Sequence, residues 1–177
     1  MKLYLVLLIV CFSACKQKDV AKVKAEPITK TEESKIEAID LTVYNFNELE
    51  PLLNIKDDKI YVINFWATWC APCIKELPYF ETLNKEYKSK NVEVILVSLD
   101  FPKQYDTKLK PFIVKHKLES KIVVLDDVDS NTWIPKVDKD WSGAIPTTII
   151  YNKNKRAFYE KSFDLEELKI ELNKFLN

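Results

Sequence analysis

The stretch Ile60-Tyr61-Val62-Ile63-Asn64-Phe65 is apolar except for Asn64, and it runs directly into Trp66-Ala67-Thr68-Trp69-Cys70-Ala71-Pro72-Cys73. A continuous apolar, β-branched run of this length is what a strand needs when both faces of its sheet are covered. The residues after it, Ile74 to Lys88, read as helix. A strand that turns within a few residues into a helix restricts the chain to an α/β arrangement, and the turn carries a Cys-x-x-Cys pair. The first sulfur sits at a helix N-terminus, where free N–H groups and the macrodipole favour negative charge. The thiolate is the reactive form of cysteine, so the placement makes Cys70 a nucleophile near neutral pH. Two intervening residues leave Cys73 close enough to close a disulfide and release whatever Cys70 has captured. Pro72 has no N–H and its fixed φ suits the first helical turn.

Around this unit the same alternation repeats. Ile36 to Tyr44 can hold a first strand. Asn45 with Glu48 resembles a capping box opening a short helix to about Leu53. Asp57-Asp58-Lys59 is a turn. Pro78 should kink the helix that follows the cysteines. Val92 to Leu99 reads as a second buried strand, Tyr105 to Lys117 as a helix interrupted at Pro111, and Ile122 to Leu125 as a short strand. Asp126 to Asp140 reads as loop or short helix. Thr147 to Tyr151 and Arg156 to Lys161 form a hairpin through Asn152-Lys153-Asn154-Lys155. Asp164 with Glu167 starts a last helix, with Leu165, Leu168, Leu172, Phe175 and Leu176 on one face. The expected fold class is α/β, a central mixed sheet with helices on both faces.

Composition narrows the chemistry. The 177 residues suffice for one domain, and Lys+Arg and Asp+Glu balance at 27 each, so no nucleic-acid partner is indicated. Gly143 is the single glycine, which excludes Gly-rich phosphate loops. Of the four cysteines, Cys11 and Cys15 lie in or beside an N-terminal apolar run. One pair therefore remains for the folded part, a functional element or a lone staple. A tetrahedral zinc site wants four ligands, and beyond this pair only His116 and carboxylates could supply them, so no metal is expected.

The start of the chain has the order of a secretory signal. Met1-Lys2 is basic, Leu3 to Phe12 is apolar and too short for a confident membrane span, and Ser13-Ala14 are small. Phe12-Ser13-Ala14-Cys15 resembles a bacterial lipobox, with Phe12 where Leu or Val is usual. The expectation is a signal peptide over residues 1–14, a lipidated Cys15 with a flexible tether over residues 15–35, and a folded domain over residues 36–177. Lys16 to Lys35 is charged, lacks a hydrophobic period and reads as a spacer.

On that frame the chain resembles the thioredoxin superfamily, and within it the membrane-anchored TlpA/ResA-like branch of thiol–disulfide oxidoreductases. Two blocks carry the resemblance: Asn64 through Pro78, and Gly143-Ala144-Ile145-Pro146-Thr147-Thr148. It implies a thioredoxin-like three-layer fold with an N-terminal strand and helix extension. It implies Cys70 as attacking and Cys73 as resolving cysteine, a redox-active disulfide in place of any cofactor, and Glu76 as the acid that handles the buried cysteine's proton. Glu76 lies three residues after Cys73, on the same helix side. Thioredoxins proper carry a buried Asp where this chain has Asn64, which cannot hold a proton. Pro146 resembles the family's cis-proline, orienting Ile145 to pair with a substrate strand. Trp69 and Pro72 would complete the substrate surface, Trp66 a core ring, and Trp133 and Trp141 either groove or core. His116 is read as structural or exposed.

The resemblance further implies disulfide-bearing protein substrates, a membrane electron donor of the DsbD or CcdA kind, a lipid anchor in the cell envelope and a link to cytochrome c maturation. A peroxide reductase, a metallochaperone of the Sco type and a non-catalytic thioredoxin-fold lipoprotein are the competing functions. The first lacks its surrounding motif, the second expects three residues between the cysteines, and the third would have lost a cysteine or the Ile-Pro pair.

Overall fold

In the computed structural model, which describes residues 30–176, the chain begins with a helix, α1 (Lys30–Glu37). Its first turn carries Glu32 and Glu33 and its last Lys35, charges that suit the two ends of a helix dipole. This corrects two expectations. The last residues assigned to the spacer are helical, and the first strand, β1 (Thr42–Tyr44), is shorter than the span from Ile36. Residues 1–29, with the signal segment, Cys11 and Cys15, lie outside the described residues.

The capping box at Asn45 and Glu48 forms in both directions and starts α2 (Phe46–Leu49), which continues as a 3-10 turn over Glu50–Leu53. The apolar run becomes β2 (Ile60–Trp66), every residue of it buried. Then come α3 (Ala71–Tyr87), β3 (Val92–Ser98), α4 (Lys110–His116), β4 (Lys121–Leu125), α5 (Ser130–Val137), β5 (Thr147–Tyr151), β6 (Arg156–Tyr159) and α6 (Leu165–Asn173). The helix expected from Tyr105 divides: Tyr105–Leu109 is a π turn, and Pro111 falls in the first turn of α4, where its missing N–H breaks no intrahelical bond. α3 runs on through Pro78, although that residue cannot donate to the Ile74 carbonyl. The β5–β6 turn is tied by Asn152 Oδ1, which accepts from the N–H groups of Asn154 and Lys155.

The sheet order is β1-β4-β3-β2-β5-β6. β1, β4, β3 and β2 pair in parallel, and β2–β5 and β5–β6 are antiparallel. The sheet is therefore mixed, with β2 near its centre. Alternation along β2 sends Ile60, Val62 and Trp66 into one core with Leu77, Phe80, Leu83, Leu168 and Leu172 of α3 and α6. It sends Tyr61, Ile63 and Phe65 into the other, with Phe46, Leu49 and Trp133 of α2 and α5. Fully burying each such side chain is worth about 1.5–3 kcal/mol, and two such faces hold the three layers together. Trp133 and Trp141 belong to this second core, which decides between groove and core in favour of core. Among the described residues no helix is long and apolar enough to cross a membrane.

Candidate active site

The site lies where β2 ends and α3 begins. Cys70 is the N-cap of α3 in extended conformation, and its Sγ accepts from the Cys73 N–H at 3.3 Å. The two cysteines are joined in a disulfide, with Cα atoms 5.3 Å apart. Cys70 is 5% exposed and Cys73 fully buried, so a partner can approach only the first sulfur. Ala71 and Pro72 are exposed beside it. Trp69, 52% exposed, stacks at 6.3 Å on Phe101, 62% exposed, an apolar ledge next to the disulfide. Trp66 points the other way, fully buried against Phe112.

The second loop of the site precedes β5. The Ile145–Pro146 peptide is cis, and the Ile145 carbonyl oxygen lies 3.7 Å from Cys70 Sγ. In the disulfide that sulfur has no proton, so this is a contact; in the dithiol a Cys70 S–H could donate along the same line. Gly143 holds φ +91°, where a Cβ would meet Ile134 Cδ1 at 2.9 Å. Glu160 braces this loop, accepting from the Ser142 hydroxyl and from the N–H groups of Ser142 and Ala144. These donors hold its carboxyl below the ordinary range, the Ser142 hydroxyl most strongly.

The loop between β2 and Cys70 is braced by another carboxylate. Asp100, buried at the end of β3, accepts from the Thr68 N–H at 3.0 Å, the Thr68 hydroxyl at 2.5 Å and the Ser98 hydroxyl at 2.8 Å. Asp100, Phe101 and Glu160 are site residues that the sequence alone does not single out. The polar step Ser98-Leu99-Asp100 at the end of an apolar strand is the only signal for the first; nothing marks the other two.

Glu76, three residues after Cys73 on α3, is 1% exposed. Its Oε1 accepts from Asn64 Nδ2 at 2.9 Å and its Oε2 from the Phe163 N–H at 2.8 Å. Burial pushes its carboxyl up to about 7, against the lowering effect of those two donors. His116 stacks on Phe112 at the end of α4 and is held below its ordinary range by burial and then by Lys115. Among the described residues no group of three or more His, Cys, Asp or Glu side chains could hold a metal ion. The structure thus brings Cys70, Cys73, Trp69, Pro72, Ile145 and Pro146 into one neighbourhood, with Glu76 buried three residues further along α3.

Comparison with known proteins follows the same lines. The profile of the AhpC/TSA family matches residues 35–157. The chain is 33% identical over 93 residues to a thiol-disulfide oxidoreductase ResA of Bacillus cereus, covering 52% of this chain and 48% of that protein. It is 39% identical over 92 residues to the protein of the same name from Bacillus thuringiensis, with the same coverage of 52% and 48%. The match thus spans less than half the length of these curated relatives. Among solved structures, StoA from Bacillus subtilis superposes with a TM-score of 0.51 at 25% identity, covering 65% of this chain and 83% of that one. A secreted thiol-disulfide isomerase from Corynebacterium glutamicum gives 0.57 at 17% identity, covering 68% and 72%, a likeness of fold.

Proposed function

The chain belongs to the AhpC/TSA family, and from that premise we propose that it is a thiol–disulfide oxidoreductase that reduces disulfides of partner proteins outside the cytoplasm. The observation that carries this is the asymmetric pair: a Cys70 that can be reached, capped by a helix N–H, bonded to a Cys73 that cannot. The similarity to proteins named thiol-disulfide oxidoreductase ResA supports it.

In the reduced protein, the Cys70 thiolate attacks one sulfur of a client disulfide. That disulfide breaks, one client sulfur leaves as thiolate, and a Cys70–client mixed disulfide forms. Cys73 passes its proton to the Glu76 carboxylate, and the Cys73 sulfur attacks Cys70. The Cys70–Cys73 disulfide forms and the second client sulfur leaves as thiolate. Two electrons have moved from the Cys70–Cys73 pair to the client, and the client thiolates take up protons from water and from Glu76. A proton affinity near neutral lets Glu76 accept and return that proton without a large cost in either direction. Ile145 and cis-Pro146 offer backbone to an extended client segment, and Trp69 and Pro72 its apolar floor.

A donor dithiol must restore the reduced pair. A membrane protein of the DsbD or CcdA kind fits, and with it a signal peptide, a lipid at Cys15 and an envelope location facing the periplasm or cell exterior. Apocytochrome c fits as a client. The test is Cys73→Ser in the native host. It should accumulate mixed disulfides between Cys70 and its partners that vanish on reduction, while Cys70→Ser traps nothing. No trapped partner, together with a dithiol inert toward protein disulfides, would overturn the proposal. A reduction potential at the oxidising end of the known range, about −120 mV, would overturn its direction.

A further inference from the structure

Asn64 leaves one buried polar atom without account. Its side chain is fully buried, and Nδ2 donates to Glu76 Oε1 at 2.9 Å and to Thr148 Oγ1 at 3.1 Å. Its Oδ1 has no partner among the described residues. Asn64 and Thr148 face each other across the β2–β5 pairing, on the side of the sheet that α3 covers.

An amide has a donor end and an acceptor end, and here only one end is used. While Glu76 is ionised this is required, since a carboxylate offers no proton for Oδ1 to accept. Protonation changes the requirement, and the neighbours decide where the proton goes. Glu76 Oε2 faces the backbone N–H of Phe163, a fixed donor, so it must remain an acceptor. The proton therefore sits on Oε1, where it meets the Asn64 NH2 group, donor against donor. Turned by half a revolution, the same amide presents Oδ1, which can accept from Glu76 Oε1–H and from the Thr148 hydroxyl together. The threonine hydroxyl rotates freely and can serve either way.

We propose that Asn64 is a positioning residue whose amide turns over with the protonation of Glu76, Thr148 Oγ1 changing from acceptor to donor, so that the carboxyl keeps its place in both states. That this place serves the resolving cysteine rests on the oxidoreductase reading above. The groups around Glu76 are few: Asn64 from β2, Thr148 beyond it on β5, the Phe163 N–H from the connection into α6, and apolar Leu168 and Leu172 of α6 in the same core. On α3 itself they are Cys73, bonded to Cys70, and apolar Leu77 and Phe80. Tyr159 of β6 turns its hydroxyl to Glu171. Burial, rather than a neighbouring charge, raises the proton affinity, which leaves the amide as the side chain that can respond.

The experiment follows Asn64 and Glu76 by NMR in the oxidised protein from about pH 5 to about pH 9, a range that brackets a carboxyl raised toward neutrality. At high pH the Asn64 Hδ2 protons should show cross-relaxation to the Thr148 and Glu76 side chains. Those contacts should fade on acidification with the same midpoint as the Glu76 carboxyl carbon. Asn64→Leu removes the hydrogen-bond partner of both protonation states; the bond to the ionised form is the stronger, so the Glu76 midpoint should rise by less than about one pH unit. Contacts that persist unchanged below the midpoint would overturn the proposal, as would a midpoint raised in the variant by well over about one unit, the mark of a donor that serves the ionised form alone. If Asn64→Leu does not fold, the contacts in the unaltered protein decide alone. Neither measurement needs thiol exchange. Failure here leaves the redox reading standing, and a turning amide in a protein inert to disulfides would sink that reading alone.

Discussion

Glu76 shows how a single buried carboxyl links stability to pH. Its carboxyl is raised from an ordinary 4.5 to about 7, so between those values the folded protein binds a proton that the unfolded chain has released. Stability contributed by the protonated form is complete below about 4.5 and is lost as pH rises to about 7. The shift corresponds to roughly 3 kcal/mol, as an upper value. Glu76→Gln, neutral at every pH, should remove this slope. Denaturant unfolding should find the native protein losing stability across that window and the variant nearly flat; parallel curves would contradict the assignment. Glu76 was legible in the sequence from its spacing to Cys73 and from the family likeness. Its clasp by Asn64 was not, because the two are twelve residues apart and meet only when α3 lies over β2. The polar break in an otherwise apolar strand was visible from the start; what it faces was not.

At the scale of elements, the two loops that flank the disulfide are each held by a carboxylate from a different strand, Asp100 from the end of β3 and Glu160 from the end of β6. The second loop has a further constraint in Gly143, whose positive φ an L side chain rarely adopts and whose missing Cβ admits Ile134 Cδ1. Gly143→Ala should cost about 1–2 kcal/mol through strain and displacement of Ile134, and should weaken client binding by shifting Ile145. Thermal unfolding and the rate of disulfide exchange check this together. A fully stable variant with unaltered exchange would show that the loop tolerates the change. Both capping boxes were readable because a cap and its return bond lie three residues apart. The π turn before α4 was not, because a single proline marks where a helix can begin and says little about the turn that leads into it.

For the whole molecule, the two cores on opposite faces of one sheet decide where the folded domain starts. α1 buries none of its residues, whereas Ile39 and Leu41 pack on the α3 face. A chain that begins at Ala38 should therefore be less stable than one that begins at Lys30 by less than about 1 kcal/mol, the scale of changes at exposed positions. Denaturant midpoints of these two chains test it. A larger loss would make α1 an integral part of the fold.

The alternation of strands and helices from β1 onward, the covered central strand and the cysteine pair at a helix start were determined by the sequence alone, through periodicity, caps and residue types at short spacing, all of which are local; the proline opposite was legible only through the family resemblance. Tertiary structure alone decided that Cys73 is sealed while Cys70 is reached, that Trp133 and Trp141 are core, and that Asn64, Thr148, Phe163 and Glu76 share one buried network. Those facts depend on which faces of β2, β5, α3 and the connection into α6 come together. Register and layer packing set that, over separations at which neighbouring residues carry no trace of one another.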